Sequence, residues 1–161
     1  FDFRALQSQV DVKGRTAGLF AAQNGDKKCF DLVATDIDAL TARDNEGRTI
    51  AMIAAIHGHT DWFEPLTQDG YFGVAGENNV FVGSMLIFDL EQLAVRDNDG
   101  DSILQHAQAF DQFEILDILV RHLQAIVKNQ TALIEAGTEP VDKHRLIRDT
   151  ANGLLTDAGF L

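Results

Sequence analysis

Apolar residues along this chain gather into short runs that open and close on turn residues. LFAA (19–22), IAMIAAI (50–56) and ILQHAQA (103–109) each begin just after Thr16, Thr49 or Ser102, and a hydroxyl in that place serves as a helix N-cap. Gly25 and Gly58 follow the first two runs, where a left-handed residue ends a helix. The third run meets Asp111 there, a residue type that adopts this conformation less readily but can do so. A second amphipathic segment then begins in each case: KKCFDLV (27–33), TDWFEPL (60–66) and QFEILDILVRHL (112–123). The pattern predicts turn, helix, helix, three times over.

The turns themselves repeat. Asp11–Phe30 reads DVKGRTAGLFAAQNGDKKCF and Asp44–Phe63 reads DNEGRTIAMIAAIHGHTDWF, 33 residues later, with eight identities in 20 positions. The third copy, Asp97–Phe113, reads DNDGDSILQHAQAFDQF and keeps Asp97, Gly100, Ser102, Ala107 and Phe113. Gly47 and Gly100 are 53 residues apart, which is one period plus a 20-residue insertion in the second unit. D-x-x-G is tight-turn chemistry: the Asp side chain accepts from nearby backbone amides and the Gly supplies a positive φ. A unit of this size cannot bury its apolar face alone, so the units are expected to stack.

GRTIAMIAAIHGH (47–59) is similar to the ankyrin repeat pattern D-x-x-G-x-T-P-L-H-x-A-A-x-x-G-H, and the resemblance covers about residues 11–129. Its T-P-L-H segment is written here as TAGL (16–19), TIAM (49–52) and SILQ (102–105), with neither the Pro nor the His. The resemblance implies an all-α ankyrin-repeat solenoid of helix-turn-helix units. Those units are 11–43, 44–96 with an insertion at about 68–90, and 97–129. Residues 1–129 then form the repeat part and 130–161 a helical C-terminal cap.

Two stretches depart from the period. Pro65 falls where the second helix of the middle unit belongs and is expected to end or kink it. QDGYFGVAGENN (68–79) reads as a glycine-rich loop. NNVFVGSMLIFDLEQLAV (78–95) carries a helical stripe that predicts an inserted helix capped by Asn78 or Asn79. From Asp111 the apolar pattern continues to Gly137, as one helix of about 25 residues or as two with a break at Asn129–Thr131. Thr138-Glu139-Pro140 then reads as an N-cap and first turn. A last helix is expected to about Ala151, closed by Asn152-Gly153, with LLTDAGFL (154–161) as the start of whatever follows.

Charge narrows the partner. The net charge is −12, which argues against nucleic acid, since phosphate binding is driven by Lys and Arg. Residues 1–120 hold 8 Lys/Arg against 20 Asp/Glu, whereas 121–161 hold 5 of each. The acidity thus belongs to the repeats, either as a solubilising surface or as one that draws a basic partner. No apolar run is long enough to span a membrane. Cys29 is the sole cysteine, which fits a reducing, cytosol-like setting. The start FDFRALQ has neither Met nor a signal-like basic end, and suggests a piece of a longer chain.

Candidate chemistry is thin. His57-Gly58-His59 suggests a metal pair, but His59 falls where the resembled repeat places a structural histidine. DNDGD (97–101) has the wrong spacing for a calcium loop, with Gln108 where a bidentate Glu belongs. Phosphate-loop, nucleophile-elbow, zincin and dinucleotide motifs are missing. The expected work is therefore non-catalytic binding, with no cofactor and no metal. The partner is another protein or another domain of the same chain. The resemblance places the contact face on the turn tips and first helices: Lys13 and Arg15; Asn45, Glu46, Arg48, Ile56 and His57; Asn98, Asp99, Asp101 and Phe110. Tyr71 and Phe72 of the insertion are further candidates. The alternative is a regulatory or substrate-recruiting segment of a larger multidomain enzyme or of a bacterial secreted effector. The expected location is cytoplasmic, or the host cytosol for an effector.

Overall fold

The computed structural model describes residues 3–67 and 83–161, and every regular element among them is helical. The α-helices are α1 (Phe3–Ser8), α2 (Ala17–Asn24), α3 (Lys27–Val33), α4 (Ile37–Leu40), α5 (Ile50–Ile56), α6 (Leu90–Leu93), α7 (Ile103–Ala109), α8 (Phe113–Glu135) and α9 (Val141–Asp157). Two 3₁₀ segments, Thr60–Thr67 and Gly83–Phe88, lie between α5 and α6. Packing of α2 on α5 and of α5 on α7 makes a row of the first helices of the three units, and α7 packs on α8 within the third. Behind it, Phe30 of α3 meets Trp62 at 5.1 Å between ring centroids, and Thr60–Thr67 packs on α8. Among the described residues no helix is long and apolar enough to cross a membrane.

The caps explain why these short helices form where they do. Thr16 Oγ1 accepts the Leu19 N–H at 3.3 Å, and Thr49 Oγ1 accepts that of Met52 at 3.2 Å. In the third unit Gln105 Oε1 reaches back to the Ser102 N–H at 2.8 Å, the return half of a capping box. Gly25 and Gly58 (both φ 73°) and Asp111 (φ 57°) end the three helices in the left-handed region. In each unit the next residue's N–H, from Asp26, His59 or Gln112, closes on the carbonyl of Ala21, Ala54 or Ala107. A Cβ on Gly25 would lie 2.6 Å from the His59 ring, and one on Gly58 2.8 Å from Gln112 Oε1. Asp111 is exposed, so a side chain fits there.

The structure corrects the sequence reading at several points. Pro65 neither ends nor kinks an α-helix; it lies inside the 3₁₀ segment Thr60–Thr67, because a residue without an N–H cannot support the α ladder at that turn. The inserted helix is not continuous: its described part divides into the 3₁₀ segment Gly83–Phe88 and α6, with Asp89 between them at ψ 145°. Asn78 and Asn79, Tyr71 and Phe72, and the whole 68–79 loop lie outside the described residues. α8 has no break at Asn129–Thr131. Gln130 there is fully buried and accepts a hydrogen bond from His144 Nδ1 at 2.7 Å, so the polar interruption is a contact inside the α8–α9 hairpin. α9 begins at Val141, not beside Thr138, and runs past Gly153 to Asp157. Leu154 and Leu155 bury on the same face as Ala151 and Ile147, so the first half of LLTDAGFL belongs to α9. Phe113 is not the partner of Phe30 and Phe63: it is 66% exposed, and Leu116 holds their place in the third unit.

One repeated element escaped the sequence reading. IDALTARDN (37–45) and LEQLAVRDN (90–98) are 53 residues apart and hold α4 and α6. Each places a leucine, Leu40 or Leu93, in the core ahead of its turn. At the corresponding place before the first turn, one period earlier, stands Gln7, also buried.

Burial lowers the pKa of His122 on α8 to about 4 from 6.5. A histidine held neutral by the fold but free to protonate when unfolded stabilises fully above pH 6.5, and that contribution falls away toward pH 4. Unfolding free energy measured by urea titration is expected to drop by on the order of 3 kcal/mol across that window. The His122→Leu variant should flatten most of the drop; an unchanged slope would place its origin elsewhere.

Candidate recognition face

Each unit opens on a turn organised by one carboxylate. Asp11 Oδ1 accepts the N–H of Lys13 and of Arg15, both at 2.9 Å. Asp44 does the same for Glu46 and Arg48, and Asp97 for Asp99 and Asp101. The second oxygen is also taken. Arg15 Nε and Arg48 Nε donate to Asp11 Oδ2 and Asp44 Oδ2, each at 2.8 Å. The third unit has Asp101 in place of the arginine, and His106 Nε2 meets Asp97 Oδ2 at 2.8 Å instead. Arg15 holds the Asp11 carboxyl below its ordinary pKa, chiefly through the side-chain hydrogen bond. Burial is the largest influence on Asp97 and pushes it up. The N–H of Asp101, the His106 ring and the N–H of Asp99 outweigh that, and its pKa is lowered.

The turns are tied to one another by a second set of bonds. The Asn45 N–H reaches the Lys13 carbonyl at 3.0 Å, and Asn45 Nδ2 reaches that of Val12 at 3.2 Å. One unit on, the Asn98 N–H reaches Glu46 at 2.9 Å and its Nδ2 reaches Asn45 at 2.8 Å. Arg43 adds bonds to the carbonyls of Gly47 and, across the junction, Arg96. At the far end of the first helices, His59 Nε2 donates to the Gln23 carbonyl at 2.8 Å, and Gln112 Nε2 to that of Ile56 at 3.3 Å. These two side chains hold the same place in successive units and do the same work.

Several predicted contact residues are therefore part of the frame. Asn45 and Asn98 spend their side-chain amides on the preceding turn. Arg48 closes on Asp44, whose side chain is 1% exposed, and Arg15 bonds Asp11 and Gln23 while lying 5.1 Å over the Phe20 ring. Ile56 is not a solvent-facing anchor: it is buried at 9% exposure, because the last turn of α5 lies between its two neighbours. Lys13, Glu46, His57, Asp99 and Phe110 remain exposed, and Asp101 is half-buried. Burial, followed by repulsion from His59 and Arg48, lowers the pKa of His57.

Charge changes in one direction along this edge. Residues 11–15, 44–48 and 97–101 carry formal charges of +1, −1 and −3. Phe20, 48% exposed, belongs to the first unit, and Phe110, 51% exposed, to the third. The histidines that suggested metal stack on each other at 6.3 Å between ring centroids, and among the described residues no cluster of three or more His, Cys, Asp or Glu is placed to hold a metal ion. No protein-family model and no curated protein sequence matches the chain.

The two sets of turn bonds can be separated by mutation. Gly47 and Gly100 both have positive φ, 76° and 84°. A Cβ on Gly47 would lie 2.6 Å from Asn98 Oδ1, whereas one on Gly100 meets nothing within 4 Å. Gly100→Ala should cost roughly 1–2 kcal/mol of backbone strain, and Gly47→Ala at least about 1 kcal/mol more, read as urea midpoints. Equal losses would mean that the junction does not depend on close approach. Arg48→Gln removes the guanidinium from Oδ2 of the buried Asp44 carboxylate and should cost about 2 kcal/mol. Arg15→Gln, beside the exposed Asp11, should cost clearly less in the same titration; the reverse order would overturn the assignment of Arg48 to the frame.

Proposed function

We propose that the chain is an ankyrin-like repeat module that binds another protein, or another domain of the same chain, along the edge formed by its three turns and first helices. The observation that carries this reading is the one-way charge step on that edge, +1, −1 and −3 by turn, with an exposed phenylalanine in the first and third units. A polar, charged rim around aromatic anchors suits recognition of a protein segment. The complementary segment is basic where it meets Asp99 and Asp101, and acidic near Lys13.

Three histidines and the three turn aspartates are engaged in the fold, which supports binding over catalysis. His59 fastens two units, His106 completes the third turn and His144 joins α9 to Gln130. The three turn aspartates each accept from two backbone amides. Cys29 is exposed on α3.

The test uses side chains that the frame does not need. A partner captured by the parent is titrated calorimetrically against Lys13→Glu, Asp99→Lys and Phe110→Ala combined. Affinity should fall at least about tenfold, with an unchanged melting temperature. Equal affinity would move recognition off this edge.

A further inference from the structure

Two positions are buried in each unit that stacks on a preceding one. Ile50 and Ile103 open the first helices of the second and third units, and Trp62 and Ile115 stand on the elements that follow; all four are at least 98% buried. Their counterparts in the first unit are Ala17 and Cys29, 33 residues before Ile50 and Trp62, and both are exposed. Phe20 repeats the contrast, at 48% exposure against 3% for Ile53. Ala17, Phe20 and Cys29 line a hollow of about 460 Å³ across α2 and α3, together with Ala21 and Asp26. One period on, from the places of Asp26 and Cys29, the His59 and Trp62 rings reach back to the carbonyls of Gln23 and Gly25. The hollow is therefore a stacking seat, in register with the two that are filled.

The first unit lacks the side chains that tie a unit to the turn before it: Val12 stands in the place of Asn45, and Asp26 in that of His59. A seat without those bonds suits a surface that is not held at the spacing of the repeat. Charge points to a second copy of this chain. Residues 11–33, 44–66 and 97–119 carry formal charges of +1, −3 and −6, so two copies repel each other least through their first units. Lys27 and Lys28 lie beside Asp26 and Asp31, and such a mixed rim can complement itself across a two-fold axis. Leu32, 70% exposed, adds apolar surface one helical turn beyond Cys29. Head-to-tail stacking is closed off at the other end of the row. There α9 packs along α8 and bonds the third unit through Gln108 to the Ala158 carbonyl and through the Arg96–Asp157 pair.

We propose that the face formed by Ala17, Phe20, Cys29 and Leu32 packs against the same face of a second copy, making a two-fold dimer through the first units. This contact does not depend on recognition at the turn edge: Lys13, Asp99 and Phe110, which test that edge, do not line the hollow.

The experiment is sedimentation equilibrium of the full chain, with a reductant present to keep Cys29 free. Monomer should pass to dimer between about 1 and 200 μM. Ala17→Glu and Cys29→Glu each put an acid in the first turn of a helix, where it suits the backbone. Each should raise the dissociation constant at least about tenfold, with an unchanged circular dichroism spectrum. Phe113→Glu, at an exposed position of the third unit, should leave it as it was. In the unaltered chain, maleimide labelling of Cys29 should slow as the dimer forms. A chain that stays monomeric up to about 200 μM would overturn the proposal and leave the seat to another occupant, such as a further repeat unit. Assemblies larger than a dimer, a dimer that Phe113→Glu weakens as much as Ala17→Glu does, or a labelling rate independent of concentration would overturn it as well.

Discussion

The whole architecture depends on one aspartate in each turn holding two backbone amides with a single oxygen. That bond pair shapes the loop so that a glycine three residues on takes a positive φ, as Gly14, Gly47 and Gly100 do at 73°, 76° and 84°. The missing Cβ then lets the next unit close in. At Gly14 the Asn45 side chain fills the space, and at Gly47 the Asn98 side chain does. Intra-turn and inter-turn geometry are therefore one constraint: a turn that failed to form would remove both its own helix start and the seat of its neighbour.

These bonds and the core have different tasks, and magnitudes separate them. A net hydrogen bond contributes about 0.5–1.5 kcal/mol, whereas burying one large apolar side chain contributes roughly 1.5–3 kcal/mol. Leu19, Phe30, Ile50, Met52, Trp62, Phe63, Ile103, Leu104 and Ile115 are all at least 98% buried. Their burial dominates stability, but it is non-directional and would tolerate a slipped stack. The amides of Asn45, Asn98 and Gln112 and the His59 ring, each meeting a particular carbonyl of the preceding unit, select the register.

Much of this was legible in the sequence because turn chemistry is local. D-x-x-G, the Thr caps and the closing glycines sit within a few residues of what they bond, and even Asp111 adopts the left-handed conformation that its place in the pattern asks for. What was not legible depends on neighbours far along the chain. Ile56 reads as an exposed anchor only until α2 and α7 pack on either side of α5, and Asn45 reads as a free recognition residue until the preceding turn takes its amide. Gln130 looks like a helix break until His144 arrives to meet it. The twin stretches IDALTARDN and LEQLAVRDN are visible in the sequence, but that Leu40 and Leu93 enter the core depends on helices far along the chain.

The ends of the row show which residues serve stacking and which serve something else. Val12, 95% exposed, stands where Asn45 and Asn98 tie back to the previous turn, and Asp26 stands where His59 and Gln112 do. Neither reaches a preceding unit; Asp26 caps its own helix by accepting the Cys29 N–H. At the other end α9 meets the third unit through Gln108 to the Ala158 carbonyl and through an Arg96–Asp157 pair. That terminus is closed by side chains that have no counterpart in the repeat. Residues that break the period while making bonds are thus accounted for by closure. Gln7 breaks the period as well: it stands where Leu40 and Leu93 are buried in the other units, and it ties α1 to Thr35 through its side-chain amide.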